Sequence, residues 1–256
     1  MTMKVLVCIK RVPAVAGRMT LTDDEKAIDT RYLGYAMGPH EECAVEQAVR
    51  LTEEHGGESV VLTLGPAEAT EQLRDAMALG VNRAIHLVTA GEEWDSESTA
   101  AAIVDAVRAD EAESGPFDVV LMGNEAADSG GYQVAVRVGR SLGRPTVCGI
   151  KGLTVADGTA RCEQESAGAR DVYELRLPAV VAVLEGLNLP RYPSVPGRIR
   201  AKSKPVAVSN PERPAQRLEL VRLVTPETGM KEATILGHGA PAAPAVVDLL
   251  ASLGVL

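Results

Sequence analysis

The sequence predicts an α/β protein, a parallel sheet with helices on both faces, followed by an extended C-terminal arm. Three observations predict it. Short runs rich in Val, Leu and Ile alternate with segments of helical periodicity over the first two-thirds of the chain. Gly and Pro stand where those helices start and stop. The last third gives up the alternation for a stretch rich in Pro, Lys, Arg and Ser. Continuous apolar runs suit strands buried on both faces, and repeated strand–helix units place such strands parallel.

The first strand is predicted over Lys4 to Ile9. A surface hairpin or loop follows, through Thr20, Leu21 and Thr22 and back through Ala27, Ile28 and Asp29, with Asp23 to Lys26 at its tip. A helix over Glu41 to Glu54 carries Ala44, Val45, Ala48 and Leu51 at helical spacing and stops at Gly56 and Gly57. Ser59 to Leu64 is the second strand. Pro66 opens a helix in which Leu73, Ala76, Met77 and Gly80 share a face. Ala84 to Val88 is the third strand, and Asp95 or Ser96 caps a helix striped by Ala100, Ile103, Val104 and Val107. Phe117 to Met122 is the fourth strand. A helix from about Tyr132 to Leu142 ends at Gly143 and Pro145. Beyond Thr146 the period falls to two, as in Asp171 to Leu177, which suggests antiparallel strands, and Pro178 to Leu184 is another apolar strand. Pro193 to about Leu218 reads as a linker or extended arm. Pro244 to Leu253 reads as a helix with Val246, Leu249, Leu250 and Leu253 on one face. A helix that short is not stable alone, so its stripe needs a docking surface.

Composition narrows the function classes. The 256 residues carry a net charge of −9 with a single Trp and a single Phe. An acidic chain without aromatic platforms is a poor binder of nucleic acid, which needs phosphate neutralisation and base stacking. The N-terminal apolar run is too short for a signal sequence and holds Lys4, so no secretion signal is expected. No apolar run is long enough to insert in a membrane. Cys8, Cys43, Cys148 and Cys162 form no CxxC pair, so they read as buried thiols of a cytoplasmic protein, with no metal. No Ser/His/Asp, Cys/His or paired-carboxylate arrangement stands out, and no catalytic residue is assigned.

Ligands of parallel sheets bind beyond the C-terminal strand ends. The loops at issue start at Lys10, at Gly65–Pro66 and at Gly123. The last runs Gly123, Asn124, Glu125, Ala126, Ala127, Asp128, Ser129, Gly130, Gly131, Tyr132, Gln133, Val134. Its small residues permit close backbone approach, and Ser129, Gly130 and Gly131 can present N–H groups to a phosphate at a helix N-terminus. It matches neither the dinucleotide nor the P-loop pattern, contains no Lys, and reads equally as an ordinary glycine-rich loop. Asp128 reads as a helix cap or as a contact to a nucleotide's sugar or base. Gly38, Pro39, His40, Glu41 and Glu42 form another helix start, where acids suit the macrodipole. His40 pairs with no nucleophile, which favours a structural or ligand-edge role. The run Arg198, Arg200, Lys202 and Lys204 reads as a solvated face.

Several segments, taken in order, resemble the electron transfer flavoprotein β-subunit family. VLVCIKRVP at Val5–Pro13 is similar to its N-terminal strand and Lys-Arg-Val turn. MGPHEECAVEQAVRL at Met37–Leu51 resembles its Asn-Pro-Phe-x-Glu-x-Ala-Val-Glu-x-Ala-Val-Arg-Leu helix. Leu73 to Arg83 is similar to its Ala-Leu-Ala-Met-Gly-Ala-Asp-Arg segment. LPAVVAVLEGLNLPRYPSVPGRIRAKSKP at Leu177–Pro205 resembles its signature, Leu-Pro-Ala-Val, then Leu-Asn-x-Pro-Arg-Tyr, then a Lys-rich tail. The chain departs from the pattern at Asp128–Gln133, which keeps fewer side-chain donors and acceptors than the usual Asp-Asp-Asp-x-Asn-Gln-Thr-Gly. It departs again at Gly38, where Asn is common, and at Ala14–Val15–Ala16, which lacks the usual aromatic.

The resemblance implies a Rossmann-like adenine-nucleotide-binding domain over residues 1–192. Residues 193–256 would be the end of a recognition loop, a basic linker and an arm on the partner subunit. It implies an electron carrier subunit, not an enzyme, that buries a structural AMP and pairs with an α-subunit holding most of the FAD. By residue matching, the AMP pocket falls on Cys8, Gly38, Pro39, His40, Glu41, Leu64 and Gly123 to Val134. Leu187, Asn188, Pro190, Arg191, Tyr192, Val195 and Pro196 fall on the loop that flavin dehydrogenases recognise, with Val195 as anchor and Arg191 and Tyr192 as braces. Electrons would pass from those dehydrogenases, acyl-CoA dehydrogenases among the candidates, to a quinone oxidoreductase. Two rivals share the fold: a bifurcating-type subunit with FAD in place of AMP, and a stand-alone adenine-nucleotide sensor. The bifurcating pattern Asp-Gly-Asp-Thr-Ala-Gln is absent, and a sensor has no need of LNLPRY and a basic arm. An ATP-cleaving enzyme would want a Lys in the Gly123–Val134 loop.

Overall fold

The computed structural model describes residues 2–14, 19–215, 217, 219–225 and 234–255; Val15 and Ala16 of the turn noted above lie outside them. Strand β1 (Met3–Ile9) leads into a small ribbon, β2 (Arg11–Pro13) against β3 (Tyr35–Met37). Then come α1 (Pro39–His55), β4 (Gly57–Gly65), α2 (Thr70–Leu79), β5 (Arg83–Val88), α3 (Ser96–Ser114), β6 (Val119–Gly123) and α4 (Val134–Leu142). An antiparallel meander follows, β7 (Thr146–Ala156), β8 (Thr159–Ser166) and β9 (Ala169–Arg176), before β10 (Ala179–Val183), α5 (Val195–Ala201), β11 (Val206–Ser209) and α6 (Ala243–Ser252). The main sheet runs β11–β5–β4–β1–β6–β10–β7–β8–β9, parallel from β11 to β7. This is the expected α/β architecture, a mostly parallel, Rossmann-like sheet.

Alternation along β1 separates two cores. Val5, Val7 and Ile9 face α1 and α2 together with Val61 and Leu121. Leu6 and Cys8 face α3 and α4 together with Leu62, Phe117 and Val120. Both faces of the central strands are therefore covered, which is why they read as unbroken apolar runs.

The basic stretch expected as linker is folded. Ser194 caps α5 by accepting from the Gly197 N–H at 3.1 Å. Lys204 Nζ donates to the carbonyls of Met77 (2.9 Å) and Val81 (2.6 Å) at the end of α2. Arg74 reaches the carbonyls of Ala201 and Lys204. Cations at a helix C-terminus satisfy carbonyls that the helix leaves open. β11 then closes the sheet edge against β5. Contacts divide the chain into one unit of residues 1–222 and another of 223–256. In the second, α6 buries no residue and leaves Val246, Leu249 and Leu253 exposed.

The strands' N-terminal ends are fastened by ion pairs. Lys4 Nζ on β1 donates to Asp110 of α3 at 2.7 Å, and Arg83 on β5 binds Asp110 at 2.6 Å and Glu58 at 3.0 Å. Burial raises the Asp110 pKa, but the bonds from Arg83, Lys4 and Ser114 outweigh it and hold the carboxyl down to about 2. Such a group stabilises the fold above its unfolded pKa and loses that contribution as pH falls through the folded one. Asp110→Asn is expected to cost about 1–2 kcal/mol at pH 7, after allowance for solvent screening. In urea melts the gap from wild type should close between pH 4 and pH 2 (about the unfolded and folded values); a gap that stays constant would show that the charge is not responsible.

Candidate functional site

Strand order reverses at β1, which has β4 on one side and β6 on the other. The loops that leave β1 and β6 must therefore part at their C-terminal ends and open a crevice. The loop after β6 is a tight turn. Ala126 and Gly130 exchange backbone hydrogen bonds of 2.9 and 3.2 Å, and Gly130 and Gly131 take φ of +78° and +40°, a region that suits glycine. Asn124 Oδ1 accepts the Gly149 N–H at 2.8 Å and ties the loop to β7. Because residues 123–133 are spent in this turn, α4 begins at Val134, two residues later than the sequence suggests.

Lys10, the first residue past β1, points into this loop. Its Nζ donates to Asp128 at 2.9 Å, to Ser129 Oγ at 3.2 Å and to Glu93 at 2.6 Å. Burial lowers the Lys10 pKa, yet Glu93 and Asp128 together outweigh that and hold it above the ordinary value. The loop that lacks a Lys in sequence thus has one in space, already engaged by two carboxylates. The sequence reading missed this side chain; its one signal is position, the first polar residue beyond the central strand.

The start of α1 forms the opposite wall. Gly38 is its N-cap and offers no side-chain cap, and Pro39 follows. Glu41, expected to sit at the macrodipole, turns inward and is only 4% exposed. Its Oε2 has no hydrogen-bond partner, and neither has the buried Nδ1 of His40. Burial pushes the Glu41 carboxyl up to about 7, and the nearby Asp128 charge pushes the same way. A Cβ on Gly123 would stand 2.9 Å from Glu41 Cδ, and one on Gly38 would collide with Oε2. Beside them lies a cavity of about 230 Å³ lined by Val12, Met37, Gly38, Pro39, Ala127 and Asp128.

The structure thus gathers Gly38, Pro39, Glu41, Gly123, Ala127 and Asp128, with Lys10, at one end of the sheet. Others of the sequence-matched set lie further from this centre. Cys8 is buried in the α3/α4 core, its thiol pushed up to about 12, and Leu64 packs against the same core. Tyr132 is exposed and bonds to Glu125, while Gln133 accepts from Arg137. Ser129, Gly130 and Gly131 form the turn over Lys10. Orphaned buried polar atoms and glycines held against a carboxyl suit a polar organic ligand. Among the described residues no His, Cys, Asp and Glu side chains gather into a metal site, and no helix is long and apolar enough to cross a membrane.

The loop from Leu187 to Pro196 is strapped to α1. Arg191 binds the buried Glu46 at 2.9 Å and Glu53 at 2.7 Å, and Arg50 also binds Glu46. Asn188 Nδ2 donates to the Cys43 carbonyl at 3.0 Å and to Gln47 Oε1 at 3.2 Å. Arg191 ties the loop to α1 through these pairs, whereas Tyr192 is 95% exposed. Val195 begins α5, 73% exposed and not tucked beneath its loop; Ile199, one turn on, is 64% exposed. Arg191→Ala strands part of a buried carboxylate and is expected to cost about 2–3 kcal/mol, with Arg50 limiting the loss. Denaturant melts read the cost, and limited proteolysis should cut the 187–196 loop first; wild-type stability and cleavage in the variant would refute the strap.

Comparison with known proteins gives consistent results. Residues 26–214 match the model of the electron transfer flavoprotein domain. A protein of Syntrophomonas wolfei subsp. wolfei called electron transfer flavoprotein subunit beta is 34% identical over 227 residues, 88% of this chain and 87% of that one. Proteins of the same name from Homo sapiens and Mycobacterium leprae are each 33% identical over 210 residues. The human match covers 82% of both chains; the M. leprae match covers 80% of this chain and 77% of its own. With the family model spanning most of the chain and these relatives aligned over most of theirs, the chain belongs to the electron transfer flavoprotein β-subunit family.

Proposed function

We propose that this chain is the β-subunit of a heterodimeric electron carrier, with AMP held structurally in the crevice between α1 and the β6–α4 loop. The observation that carries the reading is the pair of buried polar atoms without a protein partner, His40 Nδ1 and Glu41 Oε2, beside a glycine turn at the switch point. Ser129, Gly130 and Gly131 offer a phosphate their backbone N–H groups. Lys10 adds a cation whose charge Asp128 and Glu93 largely offset, which suits one phosphate better than three. Gly38 to Glu41 hold the other end of the nucleotide, above Cys8 and Leu64. FAD, bound mainly by the α-subunit at the interface, supplies the redox chemistry. The chain's own residues position and enclose; none is placed for acid–base work. The unpaired stripe of α6 docks on the α-subunit. Flavin dehydrogenases dock on Leu187 to Pro196, and a quinone oxidoreductase receives the electrons.

The chain expressed alone should be colourless and become yellow only with its α-subunit. The denatured heterodimer should release about one AMP per FAD, a single structural nucleotide at the helix N-terminus. Two FAD and no AMP would overturn the AMP reading, and no nucleotide beyond the FAD would overturn the pocket. Ser129→Asp places a carboxylate at the phosphate position and should lower AMP content, whereas an unchanged content would put Ser129 off the phosphate.

Docking rests on the exposed apolar pair Val195 and Ile199, one turn apart on α5. Val195→Ala removes two methyl groups, worth about 1–2 kcal/mol if buried on docking, or roughly tenfold in partner affinity. FAD content, AMP content and reduction by dithionite should not change. The readout is dehydrogenase-driven reduction of the heterodimer at limiting concentration. If Val195→Ala and Val195→Asp both reduce at the wild-type rate, the docking assignment fails.

A further inference from the structure

The loop after β6 leaves the sheet at Asn124, which is tied down twice. Its backbone N–H donates to the Val183 carbonyl of β10 at 2.9 Å, and its Oδ1 accepts the Gly149 N–H of β7 at 2.8 Å. An N–H facing that atom sets the amide with its oxygen towards β7. β7 bulges at this point: Val147 pairs with Val181 and Ile150 with Val183, so Cys148 and Gly149 together oppose Ala182. A bulge takes an N–H out of the ladder, and here that N–H goes to Asn124. Gly149 takes φ of +70°, which suits glycine, and a Cβ there would stand 3.0 Å from Gln164 Nε2. That nitrogen, on β8, donates to the Cys148 carbonyl at 2.9 Å, and Gln164 Oε1 accepts from Tyr173 of β9 at 3.1 Å. The bulge is thus held from one side by the meander and grips the loop on the other. The glycine turn opens at Ala126, and Ala127 and Asp128 within it line the cavity. The turn is also tied to β1 by Lys10, a partly exposed ammonium shared with Glu93. Exposed pairs of that kind hold weakly. Loss of the Asn124 oxygen would strand the Gly149 N–H and leave the turn to Lys10.

We propose that Asn124 is a positioning residue: it does not touch the nucleotide, and it sets where the glycine turn stands by hooking the loop to the Gly149 bulge. The proposal deepens the reading of this crevice as an AMP site and rests on it, moving one residue of the sequence-matched set from contact to support. The site then needs an acceptor at residue 124 and has no use for its amide nitrogen. Turn and bulge are also linked in both directions, so AMP held by the turn steadies the Gly149 N–H on a strand outside the cavity.

The test is AMP binding to the nucleotide-stripped complex with the α-subunit, by calorimetry, joined to hydrogen exchange at the Gly149 amide. Asn124→Ala removes the acceptor; a turn correctly placed in about a tenth of the molecules binds AMP about tenfold more weakly. Asn124→Asp keeps an acceptor for Gly149, loses the amide donor and adds a charge. It should stay within about threefold of wild type at physiological salt. A residue that touched the phosphate or the base would suffer at least as much from Asp as from Ala, and that order overturns the proposal. Wild-type affinity in Asn124→Ala overturns it too. In wild type, AMP should slow exchange of the Gly149 amide, an effect that a purely structural role for Asn124 would not produce; unchanged exchange overturns the proposal. Asn124→Asp should keep that slowing and Asn124→Ala should lose it. If Asn124→Ala does not assemble, wild-type exchange and the Asp variant decide alone. Absence of AMP binding by wild type sinks the AMP site and this proposal with it, and is distinct from a wild type that binds no better than Asn124→Ala.

Discussion

The double pairing of β1 is the constraint on which the rest depends. Seven residues are laddered to β4 on one edge, and Val5 to Cys8 are laddered to β6 on the other. Chain order makes those neighbours part in opposite directions, so the crevice is a product of topology before any side chain is placed. The two ends of the strand are treated differently. At the N-terminal end Lys4 is locked to the end of α3 and the Gly115 carbonyl that follows it. At the C-terminal end the strand releases Lys10 into an acidic pair, and the adjoining ribbon brings α1 in with an open first turn.

Helix α1 links this crevice to the 187–196 loop. Its first turn borders the crevice, and its next three turns hold the loop through Cys43, Glu46, Gln47, Arg50 and Glu53. Two guanidiniums complete the buried Glu46, whereas none bonds Glu41. Two glutamates five residues apart on one helix are thus shifted in opposite directions: burial raises Glu41, while the bonds from Arg191 and Arg50 outweigh burial and lower Glu46.

Much of this was legible in sequence. The central strands appear as unbroken apolar runs, and the amphipathic stripes and Gly stops fix α1 to α4 within a few residues. What escaped are pairings between distant segments. Lys10 and Asp128 lie 118 residues apart, and neither residue marks the other. β11 has four residues in a basic context, and its partner β5 comes some 120 residues earlier, so no local pattern announces it. Glu41 reads in sequence as an acid at a helix start, and the family resemblance alone places it in a pocket; the fold turns it inward. Tyr192, which the family resemblance paired with Arg191 as a brace, is exposed, while Arg191 reaches the buried Glu46. The family pattern singled out the 187–196 loop, and the fold adds that Val195 and Ile199 are presented by a helix.

The edge strand β11 has a consequence for the durability of the exposed face of α5. The segment that carries Val195 is held upstream by β10 and downstream by β11, both built into the same sheet. The backbone N–H of Ala84 donates to the Pro205 carbonyl at 3.0 Å just ahead of β11. A protease nick or a frameshift past Ser209 would trim the tail without unhooking α5. Loss of the segment past Ser209 and loss of the exposed face of α5 are therefore separable events, and a shortened chain would still present Val195 and Ile199.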